Sequence, residues 1–293
     1  MTKLAKGTAL TTAAEPPRIK RFRSELIKAI PRFPNDRGAL LHMRQKHLPE
    51  LLIDYVNWRS RYVGQRPRTV SVEAAANSVS RWATHAAAIT AFLDKARRGD
   101  DLTPHLSIEP HTKGYTPTAR APGATPADRW SDKDFVLNIM GYHHFHLGTK
   151  FQRRGHVDRT DDLIFAEVHR DTFNVIAIFG HEVFDPNSAE RLRLWSAHDQ
   201  VVYRGLPHGS VVIPAMIATS GHTVMVVHYA QQCARIIRDF EPKLDDLDLM
   251  ASLYPPGQQM SSQPKFSWGF YHLDLLIHEA TAPVNLVLAR GWN

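Results

Sequence analysis

Two apolar runs, LIFAEV at residues 163–168 and FNVIAIF at residues 173–179, flank the polar tetrapeptide HRDT at residues 169–172. Both runs are rich in β-branched and aromatic residues, which favour strands, and a short polar segment between two such runs is typical of a hairpin turn. The sequence therefore predicts an antiparallel hairpin over residues 163–179.

Strands and helices alternate around this hairpin. A strand is predicted from Phe135 to Leu147, and a helix is predicted to open at Asp185-Pro186 and to run through Trp195, because Pro suits the first helical position. The remaining predicted elements are a second hairpin, a helix and a final pair of strands: Val211–Ala218 with Thr223–Val227, Tyr229–Phe240, and Phe266–His272 with Val284–Leu288.

The residues before position 100 carry helical periodicity. One amphipathic helix is predicted over Ala39–Tyr62, with Pro49 as a kink or start. Apolar residues between Ala75 and Leu93 recur at spacings of three and four, which predicts a second helix capped by Ser71 and Gly99.

Together these patterns predict an α+β protein in which an N-terminal helical unit precedes antiparallel-sheet domains with flanking helices. The predicted divisions are a flexible basic arm, a helical unit, a Pro-rich linker, an α+β domain and a C-terminal α+β region: residues 1–36, 37–99, 100–130, 131–200 and 201–293.

Composition and charge exclude several classes of protein. The sequence contains no run of 18 apolar residues, which is about the length needed to span a membrane. The single Cys233 excludes an intrachain disulfide or a multi-Cys metal site. We expect a cytoplasmic protein without a secretory signal. Residues 1–100 hold 19 Lys/Arg against 8 Asp/Glu, whereas the remainder holds 17 against 21, so the N-terminal third is the basic part.

Histidines mark the candidate site. Six of the 17 histidines fall between residues 143 and 181, and His144 and His146 would share one face of a strand, about 7 Å apart at a rise of ~3.3 Å per residue. A loop carrying four basic residues follows directly: Lys150, Arg153, Arg154 and Arg159.

Two imidazoles beside cations can cleave RNA without a metal. One His accepts the proton of a ribose 2′-hydroxyl, a second protonates the leaving 5′-oxygen, and a Lys or Arg neutralises charge at phosphorus. DNA lacks the 2′-hydroxyl, so this arrangement selects RNA. No glycine-rich nucleotide-binding motif is present, and we expect no cofactor.

Two alternative functions remain open. His144 and His146, with His181 or a carboxylate as a third ligand, could bind zinc or iron. The protein could instead be a non-catalytic module that binds nucleic acid or protein through its basic N-terminal third, where Arg21 and Arg23 are the candidate RNA-binding residues.

The stretch of about residues 135–186 resembles the closing strands of RelE-like toxins, within the wider barnase–EndoU–colicin–RelE ribonuclease fold. The shared order is Arg159, an apolar strand, a polar hairpin, a second apolar strand, and then His181 and Phe184. The resemblance implies that Arg159 and His181 contact the scissile phosphate. It also implies an endoribonuclease toxin or defence effector that meets RNA or the ribosome and an inhibitory protein partner. Wider members of that fold use two His and a Lys, types that His144, His146 and Lys150 match.

Overall fold

The computed structural model describes residues 15–77, 79–108, 134–213, 215–218, 220–282 and 284–293. The fold is α+β, as predicted. Residues 1–14 of the predicted arm and 109–130 of the predicted linker lie outside the described ranges.

The predicted flexible arm is a packed helix where it is described. Helix α1 (Pro17–Ala29) begins with Pro at its first turn and buries Ile19, Phe22 and Leu26. These residues are three and four apart, so they form one apolar face, and that face packs against other helices instead of leaving the segment free.

The single helix predicted over residues 39–62 is two helices, α2 (Arg37–Gln45) and α3 (Leu48–Arg59). The break falls at His47, whose N–H donates to the Glu50 carboxylate at 2.7 Å and so satisfies one of the free donors at the start of α3. Pro49 lies in the first turn of α3, a position that needs no N–H donor.

The second predicted helix is preceded by a strand. The strand β1 (Thr69–Val72) is followed by two short helical segments and one full helix: α4 (Ala74–Asn77), α5 (Ser80–Thr84) and α6 (Ala86–Arg98). Gly99 ends α6 in the left-handed conformation at φ 78°, as predicted for its cap.

The first sheet has the strand order β1-β4-β3-β2. Its remaining strands are β2 (Tyr142–His146), β3 (Asp162–Val168) and β4 (Thr172–Gly180), so the predicted hairpin is confirmed as β3–β4. The strand predicted from Phe135 is wrong before residue 142, because helix α7 (Asp134–Met140) occupies that segment and Gly141 separates it from β2. Strand β1 pairs in parallel with β4.

Each face of this sheet has its own hydrophobic cluster. Helix α6 covers one face and contributes Ile89, Phe92 and Leu93. Helix α7 and the helix α8 (Ala189–Val202) cover the other. Helix α8 begins later than predicted, because residues 181–184 form a turn of 3-10 helix and Ser188 caps α8 by accepting from the Arg191 N–H.

The second predicted hairpin is wrong in the described residues. Only Ile217 and Thr223 form an isolated antiparallel bridge there, and helix α9 (Val224–Phe240) begins directly after Thr223. The Thr223 hydroxyl accepts from the Val226 N–H at 3.2 Å and caps α9, so the apolar run that resembles a strand is the first turn of a helix.

The second sheet has the order β5-β6-β7 and follows the short helix α10 (Leu247–Ser252). Its strands are β5 (Phe266–Tyr271), β6 (Asp274–Glu279) and β7 (Val284–Ala289), so a third strand lies between the predicted pair. One hydrophobic cluster joins α1 and α3 to α9 and this sheet. The structural units therefore cross the predicted boundaries, since both ends of the chain share one core and β1 belongs to the first sheet. No helix in the described ranges is long and apolar enough to cross a membrane.

Candidate functional site

The register of the first sheet brings together histidines that are far apart in the chain. His146 ends β2 opposite Leu163, and Asp162 at the start of β3 pairs with Gly180 at the end of β4. His181 follows Gly180 directly, so both histidines lie at the same end of the sheet. Their ring centroids are 5.7 Å apart.

Phe184 connects this pair to the third predicted histidine. The centroid of its ring is 5.9 Å from that of His181 and 5.3 Å from that of His144. His144 and His181 are half-buried, whereas His146 is 4% exposed. The rings of His144, His146 and His181 therefore lie together on one face of the sheet.

Hydrogen bonds orient His146 from two sides. The Thr160 N–H donates to its Nδ1 at 3.4 Å, so in the neutral ring the proton is on Nε2. Its backbone carbonyl accepts from Nδ1 of the buried His105 at 2.8 Å. Burial lowers the pKa of His105, and Lys95 Nζ donates to its Nε2 at 2.9 Å, so that ring is a neutral support for β2.

His143 faces the opposite side, as strand alternation predicts. Its Nε2 lies 3.0 Å from the Ser60 carbonyl oxygen, and its ring is 5% exposed. Burial, together with the nearby Arg68 and Arg61, lowers the pKa of His143 to about 4. His143 is therefore neutral at pH 7 and takes no part in the cluster on the other face.

The basic loop forms a hairpin of its own between His146 and Asp162. Phe151 and Val157 form an antiparallel bridge, and Asp158 accepts from the Lys150 N–H at 2.9 Å. A Cβ at Gly148 would collide with the Asp158 carbonyl, so the close approach of the two limbs requires glycine.

The predicted cations of this loop are all exposed. Within the part of the chain that the structure describes, their side chains form no hydrogen bond or ion pair, and this applies to Lys150, Arg153, Arg154 and Arg159. The loop starts at the last residue of β2 and ends at the first residue of β3, so its base is at the histidine end of the sheet.

The predicted RNA-binding residues of the N-terminal arm lie elsewhere. Helix α1 packs against α3 and β5, on the other hydrophobic cluster. Arg23 is engaged by Glu15 at 2.9 Å and by backbone carbonyls, and Arg21 pairs with Glu25 at 2.9 Å. The structure does not bring these two arginines to the histidine cluster.

A network of charged residues at the same sheet end was not predicted from the sequence. Arg81 contacts Asp162 at 3.2 Å and Glu190 at 2.7 Å, and His85 Nε2 lies 2.9 Å from Asp162. The available signal was the four-residue spacing of Arg81 and His85 on one helical face, but their carboxylate partners are 77 residues or more away.

Glu190 ties this network to the sheet. Burial opposes its ionisation, but hydrogen bonds from Arg193, the Gly180 N–H and Arg81 hold the pKa of Glu190 below its usual value. Arg193 also donates to the Ile178 carbonyl at 2.6 Å. An ionised carboxylate therefore binds the backbone N–H of Gly180, the residue before His181.

The metal-binding alternative has no ligand set among the described residues, since no three His, Cys, Asp or Glu side chains there are arranged to hold an ion. Comparison with family models, curated proteins and solved structures finds no match for this chain. The site must therefore be interpreted from its own chemistry.

Proposed function

We propose that this protein is a metal-independent endoribonuclease. The observation that carries the proposal is the contact of the His146 and His181 rings at the base of a loop whose four cations are exposed and unpaired within the described residues. Imidazole supplies proton transfer near neutral pH, and unpaired Lys and Arg supply phosphate binding.

The three histidines take different roles because their environments differ. His181 is half-buried and accepts the proton of the ribose 2′-hydroxyl, while the 2′-oxygen attacks phosphorus. His144, on the same face beside Phe184, donates a proton to the departing 5′-oxygen. His146 is 4% exposed and keeps its proton on Nε2, so we assign it to position His181 through the contact of the two rings and not to touch the phosphate.

The loop provides the charge that the transition state requires. Lys150 and Arg159 leave the sheet end on opposite limbs of the hairpin, and we assign them to the scissile phosphate. Arg153 and Arg154 lie towards the tip and are assigned to neighbouring phosphates. The products are a 2′,3′-cyclic phosphate and a 5′-hydroxyl.

The resemblance to RelE-like toxins supports the same assignment. It implies a toxin or defence effector that acts in the cytoplasm on RNA or on the ribosome and that an inhibitory protein restrains. Arg159, the β3–β4 hairpin, His181 and Phe184 stand in the order that the resemblance requires.

The proposal is tested by incubating the purified protein with single-stranded RNA in EDTA. We expect cleavage of RNA, no cleavage of the 2′-O-methyl analogue, and a loss of about 10²-fold or more in His181→Ala and in His144→Ala. His228→Ala is the control, because His228 is exposed on α9. Circular dichroism verifies that each variant is folded.

Two results would contradict the proposal. One is cleavage that EDTA abolishes, and the other is wild-type activity in the His181→Ala protein. Steep, salt-dependent RNA binding without cleavage would favour the non-catalytic alternative instead.

A further inference from the structure

The hairpin between β2 and β3 carries an aromatic side chain that the fold does not bury. The Phe151 ring is 64% exposed, and it belongs to none of the hydrophobic clusters formed by the described residues. Its bridge partner Val157 is 3% exposed, so the apolar residue that the fold does bury is on the other limb. A single exposed apolar residue is common on a protein surface, so its meaning depends on what surrounds it.

Hydrogen bonds fix the backbone on both sides of this ring. Phe151 bridges Val157, and the Gln152 N–H donates to the His156 carbonyl at 2.7 Å. The Val157 N–H donates to the Pro104 carbonyl at 2.9 Å, which ties the hairpin to the turn of 3-10 helix after α6. The ring is therefore carried on an ordered element, so a flat ligand that binds it does not have to order the backbone.

Cations surround the ring. Lys150 precedes it and Arg153 and Arg154 follow it, all exposed and unpaired within the described residues. Lys95 Nζ lies over the ring, 5.8 Å from its centroid, so this cation covers one face and the exposed remainder is open on the other. An aromatic face among phosphate-binding cations is typical of surfaces that stack unpaired bases while they hold the nucleic-acid backbone.

The position of Phe151 relates it to the proposed cleavage site. It directly follows Lys150, which we assign to the scissile phosphate, and it lies five residues after His146. At a strand rise of ~3.3 Å per residue, the Cα atoms of Phe151 and His146 are no more than ~17 Å apart. A base stacked on this ring therefore belongs to a nucleotide close to the cleaved bond.

We propose that Phe151 stacks on an unpaired base of the RNA substrate and thereby selects single-stranded over double-stranded RNA. This inference rests on the proposed function, because it takes RNA as the ligand. Every base has an aromatic face, so stacking tolerates any sequence. A base within a duplex is already stacked between its neighbours, so a double-stranded RNA meets the cations of the hairpin but not the ring.

The test measures binding to oligomers that cannot be cleaved, so it does not depend on whether the protein is a nuclease. Fluorescence anisotropy of the full-length protein compares a single-stranded 2′-O-methyl RNA, its duplex, and an oligomer of the same length that lacks bases. Phe151→Leu should weaken binding of the single strand at least about fivefold, since one stacked base is lost. Its affinity for the duplex and for the abasic oligomer should be unchanged, which also shows that the variant is folded. Phe151→Trp should bind the single strand as the wild type does.

Two control variants separate stacking from charge and from the loss of an exposed ring. Lys150→Gln should weaken the binding of all three oligomers, because it removes a phosphate contact that does not depend on bases. Tyr271→Leu makes a comparable change at a 54% exposed ring of β5, in the other sheet, and should alter none of the three affinities.

Three outcomes would overturn the stacking role: unchanged single-strand binding in Phe151→Leu, an equal loss on the single-stranded and abasic oligomers, or a loss in Phe151→Trp as large as in Phe151→Leu. No RNA binding by the wild type would overturn both this inference and the proposed function. A selective loss in Phe151→Leu, in a protein that cleaves no RNA, would support the stacking role and remove only the nuclease activity.

Discussion

At the scale of the residue, the hydrogen-bond partners of each imidazole decide which ring nitrogen carries the proton. His143 donates through Nε2 to a carbonyl, and His146 accepts at Nδ1 from an N–H, so both neutral rings carry the proton on Nε2 although different nitrogens are engaged. Strand alternation places them on opposite faces. Neither tautomer follows from sequence, because the partners Ser60 and Thr160 are supplied by other segments.

The proposed role of His144 as the proton donor can be isolated chemically. A substrate with sulfur in place of the 5′-oxygen has a leaving group that needs no protonation. We expect His144→Ala to cleave this substrate at close to the wild-type rate, whereas His181→Ala stays inactive because the 2′-hydroxyl still requires a base. Single-turnover rates on matched oxygen and sulfur substrates measure this, and equal defects of His144→Ala on both would remove His144 from the acid role.

The buried His143 predicts how stability depends on pH. Its pKa is lowered from 6.5 to about 4 in the folded protein, so the unfolded chain binds a proton that the folded chain does not. The stabilisation is complete above pH 6.5 and is lost as the pH falls towards 4. Between pH 7 and 5 the free energy of unfolding should fall by about 2 kcal/mol more in the wild type than in His143→Gln.

Urea titrations at several pH values test this difference. Both proteins share His272, whose pKa burial also lowers to about 4, so that contribution cancels in the comparison. Parallel pH profiles for the two proteins would show that His143 is not held neutral by the fold.

At the scale of the element, the hairpin between β2 and β3 presents charge beside the histidines. Gly148 permits its two limbs to approach, and the bridge between Phe151 and Val157 closes it. The cations are consequently carried on a short, defined element instead of on an extended arm. The sequence located these residues but not the hairpin, because the loop lacks the apolar alternation that marks a strand.

The loop should set the salt dependence of RNA binding. If the proposal holds, Lys150→Gln combined with Arg159→Gln removes two of the proposed phosphate contacts, which should lower the slope of log affinity against log salt by about 1.4 for single-stranded RNA. Arg97→Gln with Arg98→Gln is the control of equal charge, because those arginines pair with Asp94 and Asp100 at the end of α6. Fluorescence anisotropy over a salt series gives both slopes, and equal slopes would contradict the role of the loop.

The sequence predicted correctly those strands and helices that their own residues mark, without partners from distant segments. The β3–β4 hairpin was correct because two apolar runs of strand-forming residues and a polar turn lie within 17 residues. β1 was missed because its four residues pair in parallel with a strand about 100 positions later. The start of α9 was missed because the apolar residues of its first turn would also suit a strand. Only the cap at Thr223 distinguishes the helix from a strand there.

At the scale of the whole molecule, the N-terminal and C-terminal segments form one core. Phe22 of α1 is 2% exposed and lies against Phe270 of β5, with ring centroids 5.8 Å apart. Arg18 adds an ion pair to Glu241 at 3.0 Å. This shared core could not be predicted from any one segment, since it depends on packing between residues more than 200 positions apart.

Because α1 belongs to this core, a mutation on its buried face should strongly destabilise the protein, although the sequence predicted this segment to be a flexible arm. Phe22→Ala should reduce the free energy of unfolding by about 3–5 kcal/mol, as expected for a buried phenylalanine. Arg21→Ala, on the exposed face of the same helix, should cost no more than about 1 kcal/mol. Chemical denaturation measures both, and similar small losses would mean that α1 does not pack on the C-terminal sheet.

The proposed activity is the cleavage of RNA, without a metal, by imidazoles of β2 and of His181, which follows β4 directly. Its most direct test is the chemistry of the RNA ends after cleavage in EDTA, determined by mass spectrometry of the fragments. We predict 2′,3′-cyclic phosphates with 5′-hydroxyls from the wild type and intact RNA from His181→Ala. Fragments with 5′-phosphates, or no fragments from the wild type, would contradict it.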